Sequence, residues 1–379
     1  LTKESTNTET AVAPKKRSWV RRVPYWISWV ALGGLLVSCL APLVSPAVFW
    51  PLAFFGLAYP AFVLLVFLLF IFWLLKRRRI ALYLLGGLLL SAPYYNREFQ
   101  FCFGKQEEAP ASAFTVMSYN VKLFDLYNWS GNKQARSMMF VEIAREKPAV
   151  LSLQEFFNQD TGTFRNLDSL KKLLQLPYAH YEYTFTKHKD DHWGVVTFSR
   201  FPILNQGRIV FNNRNNNICI YTDLLINHDT IRVYNMHLQS INFGYADYET
   251  VNRMLKGDEL EDEMESSKNI LRRMKRAYTK RARQAESVAL HIASCHYPII
   301  VCGDFNDPPV SFTYRTVSYG LKDAFVESGS GFGKTFVNPF PVPRIDYILH
   351  SPNLKAWEFK TIADSGLSDH YAVKCKIGW

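Results

Sequence analysis

In the C-terminal two thirds of the chain, six apolar runs end in a carboxylate, an amide or an imidazole. Phe114 to Tyr119 is followed by Asn120, Val150 to Gln154 by Glu155, Val233 to Met236 by His237, and Ile299 to Gly303 by Asp304-Phe305-Asn306. Arg344-Ile345 precedes Asp346, and Gly366-Leu367-Ser368 precedes Asp369-His370. Oxygen donors of this kind suit hard divalent cations. Mg²⁺ takes one or two carboxylates and keeps its other positions for water and phosphate oxygens. Two histidines and a further Asp supply what phosphoester hydrolysis still needs, proton transfer and stabilisation of charge on the phosphoryl oxygens. Singly, each residue has a plainer reading. An Asp or Asn at a strand end usually satisfies local backbone donors, Glu155 suits a solvated rim, and His237 suits a satisfied core imidazole. The ordered set is what argues for a site.

The elements that must position these groups alternate. Strands are expected at Phe114 to Tyr119, Val150 to Leu153, Tyr181 to Phe185, Gly194 to Phe198, Ile218 to Ile226, Ile231 to His237, Ile299 to Cys302, Ile345 to Leu349 and Tyr371 to Lys376. Helices are expected at Gln134 to Glu146, Phe164 to Leu174 and Ser266 to Ser294. Nine strands imply more than one sheet, and the tight connection at Asn227-His228-Asp229 argues for largely antiparallel pairing. No G-x-G-x-x-G or G-x-x-x-x-G-K-[ST] occurs, so nucleotide cofactors lack support. The six Cys, at 39, 102, 219, 295, 302 and 375, form no C-x-x-C pair and indicate neither zinc nor a disulfide framework.

The ordered motifs SYNVKLFD (118 to 125), LQEF (153 to 156), GVVTFSRFPI (194 to 203), NMHLQS (235 to 240), GDFND (303 to 307), RIDYIL (344 to 349) and SDH (368 to 370) resemble the endonuclease/exonuclease/phosphatase superfamily, the DNase I-like proteins. The resemblance implies an α/β fold, a four-layer sandwich of two mostly antiparallel sheets flanked by helices, from Phe114 onward. It implies metal-site roles for Asn120 and Glu155 with Asp369 near the same ion, Mg²⁺ being the expected cofactor and Mn²⁺ the alternative. Asp304 and Asn306 match the pair that aligns the attacking water. His370 matches the imidazole on the scissile phosphate, Asp346 the carboxylate that orients it, and His237 a second histidine near the phosphate or leaving group. Which of these groups is the base stays open.

The N-terminal third is different in kind. Up to Lys105 it carries twelve Lys and Arg against three Glu, which accounts for +9 of the chain's net +11, so the remainder is nearly neutral and offers no bulk attraction to nucleic acid. No Asp, Glu, Lys or Arg occurs from Val23 to Leu75, which fits two membrane spans, Trp26 to Val44 and Pro51 to Leu75, divided by Pro42, Pro46 and Pro51. Ile80 to Tyr95 is a shorter third candidate. The five cations between 15 and 22 and the run Lys76 to Arg79 belong on the cytoplasmic side, so a spanning third helix places all that follows Arg97 outside the cytoplasm. An interfacial third helix would leave the C-terminal domain inside.

The expected organisation is a basic tail (1–22), a transmembrane region of two or three helices (23–96), a linker (97–112) and a catalytic domain (113–379). The expected function is that of a membrane-anchored, metal-dependent phosphoesterase with an extracytoplasmic catalytic domain. It would hydrolyse a phosphodiester or phosphomonoester in a lipid headgroup or nucleic acid. A tethered DNA or RNA nuclease is the alternative, and an inactive binding protein or a channel the remote ones. An insertion-like stretch from Phe243 to Arg283 is acidic first and then basic, with eight Lys and Arg from Lys268 onward. It reads either as a phosphate-attracting arm or as a solvated helix, the latter being the plainer choice. The run Asn212 to Asn217 reads as a turn.

Overall fold

Two-residue alternation sorts the core into layers in a computed structural model, which describes residues 22–101, 107–211, 217–241, 263–337, 344–363 and 366–379. In β1 (Phe114–Asn120), Val116 faces one buried cluster while Met117 and Tyr119 face another. The same split occurs in β2 (Val150–Gln159), where Val150 joins the first cluster and Leu151 and Leu153 the second. Side chains that alternate in this way give each sheet two buried faces.

The remaining strands are β3 (Tyr178–Lys187), β4 (Asp191–Ser199), β5 (Ile203–Ile209), β6 (Ile218–Ile226), β7 (Asp229–His237), β8 (Ile299–Asp304), β9 (Lys322–Asp323), β10 (Asp346–His350), β11 (Lys355–Ile362) and β12 (Ala372–Gly378). They form two six-stranded sheets, ordered β11-β12-β1-β2-β4-β3 and β5-β6-β7-β8-β10-β9. Both sheets are mixed, because β1 pairs parallel to β2 and β7 parallel to β8 while the other neighbours are antiparallel. Val116, Val233, Ile300, Ile348 and Val373 fill the space between the sheets.

Six helices precede the sheets: α1 (Val23–Ser38), α2 (Pro46–Phe49), α3 (Leu52–Leu57), α4 (Tyr59–Leu75), α5 (Ile80–Ser91) and α6 (Tyr95–Glu98). Outside the first sheet lie α7 (Ala135–Glu146) and α8 (Asn166–Leu174), and outside the second α9 (Glu263–Ala293) and α10 (Phe312–Val317). A short α11 (Ala324–Ser328) lies near β11. The sequence pattern missed β5, β9 and β11. β5 is broken by polar Asn205, Gln206 and Arg208, β9 has two residues, and β11 carries a register shift between Trp357 and Lys360.

The N-terminal helices differ from expectation in their lengths. α1 stops at Ser38, ahead of Pro42, which disfavours helical geometry in the residue before it, and Pro46 opens the separate α2. α1, α4 and α5 have 16, 17 and 12 residues, and among the described residues no helix is long and apolar enough to cross a membrane. Their outward faces are nonetheless apolar, with Trp26, Val30, Leu75, Leu82 and Leu90 each about 70% exposed or close to it.

One end of this bundle rests on the sandwich. Gly56 lies so near the loop after β8 that a Cβ there would stand 2.3 Å from the Val310 carbonyl oxygen, and Val310 is buried among the helices. Tyr59 Oη donates to Ser91 O at that same end, and Tyr94 Oη to Cys39 O. At the other end Trp73 Nε1 donates to Ser28 Oγ and stacks near Tyr25. Arg22 and the Lys76–Arg79 turn therefore sit away from the sandwich. The basic residues 15 to 21 and the run 212 to 216 lie outside the described residues.

Candidate active site

The inner face of the sandwich turns from apolar to polar along five strands, all toward one end. It runs Val116, Ser118, Asn120 on β1; Val150, Ser152, Gln154 on β2; Val233, Asn235, His237 on β7; Ile300, Cys302, Asp304 on β8; and Ile348, then Asp346, on β10. Pairing brings the last members level. Asn120 stands opposite Gln154, His237 opposite Asp304, and Asp346 opposite Asp304 from the other side. Gln154 Nε2 donates to Asn235 Oδ1 at 2.8 Å, and Asn235 Nδ2 to the Val196 and Leu153 carbonyls, so the two sheets are tied together just beneath this end. Gly303 admits the close approach of β7, since a Cβ there would lie 2.1 Å from Met236 O.

Asp304 is the hub. Its Oδ2 accepts from Asn120 Nδ2 and from Asn306 Nδ2, both at 3.0 Å, and its Oδ1 accepts from Asn306 N at 2.8 Å. His237 Nε2 and His370 Nε2 stand 3.8 and 3.7 Å from the same Oδ2. His370 Nδ1 lies 3.0 Å from Asp346 Oδ2, which fixes the ring and leaves Nε2 toward the centre. His237 Nε2 is buried and makes no hydrogen bond among the described residues, so it faces the place where a ligand would bind.

The two imidazoles are driven apart in basicity. Burial holds His237 below the ordinary histidine range, with His370 adding to that and Asp304 opposing. Burial also opposes charge on His370, but Asp346 and Asp304 outweigh it and hold this ring well above the ordinary value. Burial raises Asp304 to about 6, with the charge of His370 opposing the rise. The site thus offers a cationic imidazole, a neutral one and a carboxylate that titrates near neutrality, a set suited to proton transfer.

Glu155 reaches this centre through a bulge. Strict alternation would place it with Leu151 and Leu153 on the helix-covered face. The register shifts between Leu153 and Phe156, and Glu155 takes φ +47°, which turns its carboxylate to within 3.6 Å of His237 Nε2. Burial and the nearby Asp369 push its carboxyl up. Asp369 pairs with Lys122 at 3.1 Å, and Lys122 Nζ also lies over the Trp129 ring. Lys122 opens four successive residues with positive φ, Lys122 to Asp125, a strained turn of the kind that persists at functional sites.

Asn120, Glu155 and Asp369 fit a hard divalent cation: one amide, two mutually repelling carboxylates, and an ammonium already drawn to one of them. Ligand atoms of Asp304, Asp346 and His370 also lie within 4.8 Å of one another. Those atoms are committed to each other and to Asn120 and Asn306, so this trio reads as a proton relay rather than a metal cage.

The family model described as the endonuclease/exonuclease/phosphatase family matches residues 117–370. The chain belongs to this family. A second model, described as a domain of unknown function, matches residues 21–98. No curated protein matches. Among solved structures, an endonuclease/exonuclease/phosphatase from Beutenbergia cavernae is 15% identical, with 70% of this chain and 71% of that one covered and a TM-score of 0.48. Sphingomyelinase C from Streptomyces griseocarneus is 18% identical, with 71% and 99% covered at 0.47. A mannosyl-6-phosphatase from Bacteroides thetaiotaomicron is 18% identical, with 70% and 100% covered at 0.47.

In this family member all eight residues singled out in the sequence, Asn120, Glu155, His237, Asp304, Asn306, Asp346, Asp369 and His370, converge at one end of the sandwich. Sequence reasoning missed Lys122, whose signal was its place in SYNVKLFD two residues after Asn120. It also missed Arg281, fully buried on α9, which donates to Gln239 O at 2.8 Å and pairs with Asp307 at 2.5 Å. Nothing marked Arg281 among the other cations of its helix.

Proposed function

We propose that this family member is a divalent-metal-dependent phosphoesterase that works at a membrane surface, hydrolysing a lipid phosphodiester or phosphomonoester by attack of an activated water. The observation that carries the chemistry is the convergence of two imidazoles and two amides on Asp304 at the polar end of the sandwich. Asp304, oriented by Asn306, would align the water and accept its proton. His370, kept cationic by Asp346, would hydrogen-bond a phosphoryl oxygen, and His237 would serve the leaving-group side. Mg²⁺ or Mn²⁺ held by Asn120, Glu155 and Asp369 would supply Lewis-acid neutralisation of phosphoryl charge.

The membrane part of the reading is supported by the exposed apolar faces of α1, α4 and α5, far larger than a monomer usually leaves in water. Basic Lys76 to Arg79 at the bundle end away from the sandwich favours a catalytic domain outside the cytoplasm. α1, α4 and α5, at 16, 17 and 12 residues, are each shorter than a full span of about 20 residues, so the bundle would seat with local thinning of the bilayer or with its flanking turns in the interface. The test is hydrolysis by the full chain in vesicles, with Mg²⁺ or a chelator. Sphingomyelin, glycerophospholipids, DNA, RNA and inositol phosphates are compared, with Asp304→Asn and His370→Ala as controls. Lipid cleavage that needs metal and both residues is expected. Cleavage of DNA or RNA alone would replace the lipid reading by a nuclease, and activity surviving both variants would remove the site assignment. A cysteine introduced at exposed Glu107 should react with an impermeant thiol reagent from the outer side.

A further inference from the structure

The seam between the two sheets runs through the pair formed by Asp346 and His370. Asp346 opens β10 in one sheet and His370 lies two residues ahead of β12 in the other, so neither sheet's hydrogen-bond ladder sets the distance between them. That distance has to be held by something else. The Nδ1 to Oδ2 contact is 3.0 Å, and a hydrogen bond of this kind is lost once it lengthens beyond about 3.5 Å.

Thr335 joins the two ends. This residue is fully buried, and its hydroxyl oxygen accepts from Ile345 N at 3.0 Å and from Asp346 N at 3.1 Å. Its carbonyl accepts from Tyr371 N at 2.7 Å, and Val337 N donates to Asp369 O at 2.8 Å. These two main-chain bonds flank His370 and set Phe336 directly opposite it in an antiparallel bridge. Side chains of such a pair share a face and come close, and the Phe336 ring accordingly meets the imidazole at 5.1 Å between centroids, inclined at 63°. The near end of the segment is braced as well, since Gly331 and Gln100 exchange both backbone hydrogen bonds at 2.9 Å.

We infer that Thr335 is a positioning residue of this site, fixing Asp346 against His370 across the seam between the sheets. The catalytic consequence rests on the function proposed above, and the geometric one stands without it. Main-chain bonds secure the His370 side and could be made by any residue at 335, whereas the Asp346 side depends on a hydroxyl. Valine would match the shape of threonine yet deprive two buried amides of this acceptor, so the start of β10 would shift toward other partners. Serine keeps the acceptor and loses only a methyl group. Because Thr335 acts through Asp346, its loss should slow turnover more than it weakens substrate binding.

The experiment takes the full chain in detergent, determines crystal structures of Thr335→Val and Thr335→Ser, and measures kcat and KM on one phosphodiester with Mg²⁺. Asp346→Asn and the double variant of Thr335→Val with Asp346→Asn complete the kinetic set. In Thr335→Val the Nδ1 to Oδ2 separation should exceed about 3.5 Å, and kcat should fall at least about fivefold with KM within about twofold of the parent. Thr335→Ser should keep the contact and restore most of the rate. Adding Thr335→Val to Asp346→Asn should cost no further rate, whereas damage of another kind would multiply with it. An unmoved contact in Thr335→Val would overturn the inference. So would impairment of Thr335→Ser equal to that of Thr335→Val, or a double variant slowed by the product of the two single effects. Thr335→Cys, which keeps only a weak acceptor, replaces Thr335→Val if that chain fails to fold, and the same outcomes decide. A lengthened contact in the variant of a chain that hydrolyses no ester removes the enzymatic reading and leaves Thr335 holding the pair, while turnover with the contact unmoved removes this inference alone.

Discussion

Replacing Asp346 by Asn keeps the shape of the His370 partner and removes its charge. Asp346 and His370 are 1% and 5% exposed, and the Nδ1 to Oδ2 distance is 3.0 Å, so the lost interaction is a buried, charge-assisted hydrogen bond. Such bonds contribute about 1.5–3 kcal/mol, and one pKa unit corresponds to about 1.4 kcal/mol, so the His370 pKa should fall by roughly 1–2 units. The sign follows from the role assigned to the ring. A cationic His370 is the active form, so activity is lost as pH rises through its pKa, and the variant should lose activity at lower pH than the parent. The assay is kcat/KM against pH on one phosphodiester with saturating Mg²⁺. The alkaline limb should move down by roughly 1–2 units, with turnover at pH 7.5 reduced on the order of 10- to 100-fold. Asp346 N is bonded to Thr335 Oγ1 through its backbone, which Asn retains, so the strand should hold its place. An alkaline limb that stays where it was, with activity reduced or not, would refute the claim that Asp346 keeps His370 charged.

Among the described residues neither carboxylate oxygen of buried Glu98 has a hydrogen-bond donor, and burial raises its pKa to about 7 from 4.5 while Arg344 opposes the rise. The folded chain then keeps a proton that the unfolded chain has lost, so stability should fall as pH rises from 4.5 to 7, by up to about 3 kcal/mol. Glu98→Gln should abolish that fall in denaturant titrations at pH 5 and 8, and a variant that keeps it would show that another group is responsible. Arg281→Met strands Asp307 in the interior and should cost about 3–5 kcal/mol of stability, while adding Asp307→Asn should restore part of it. Absence of any recovery in the double variant would mean the pair is not coupled. Gly56→Ala drives a methyl toward Val310 O and should lower stability by about 1–3 kcal/mol, whereas Gly33→Ala, with nothing within 4 Å of its Cβ, should not. Equal melting temperatures for the two would argue against the tight contact of α3 with the sandwich.

What the sequence disclosed and what it hid divide along one physical line. The polar ends of β1, β7, β8 and β10 were legible because each lies where an apolar run meets a polar group, whereas their common inner face came with the strand pairing. Glu155 was legible by its place in LQEF but not by its geometry. Alternation puts it on the wrong face, and only a bulge with positive φ, which local composition does not specify, turns it inward. α9 was legible as a helix, and most of its cations are exposed as a solvated face requires, but its apolar stripe was not foreseen. Its apolar residues Ile270, Met274, Tyr278 and Ala282 follow a helical period, but the many cations between them hid that this stripe is buried. The proline-broken helices of the N-terminal third were foreseen as helices, while their ends depend on turns at Cys39 to Ser45 and at Ala58 that hydropathy does not register.

The loop from Asn306 to Val310 links these observations. From one side α9 holds it through Arg281 on Asp307. From the other the N-terminal bundle covers Val310 and leaves room for nothing larger than Gly56 above its carbonyl. The same loop begins with Asn306, which takes φ +55° and donates two hydrogen bonds to Asp304. Asp304 therefore owes its orientation to a segment gripped by both the bundle and α9, and a shift of either would reach this carboxylate through two or three residues. In that geometry the N-terminal helices are a wall of the candidate active-site scaffold. The family's sandwich here depends on them in a way that a domain joined by a flexible linker would not.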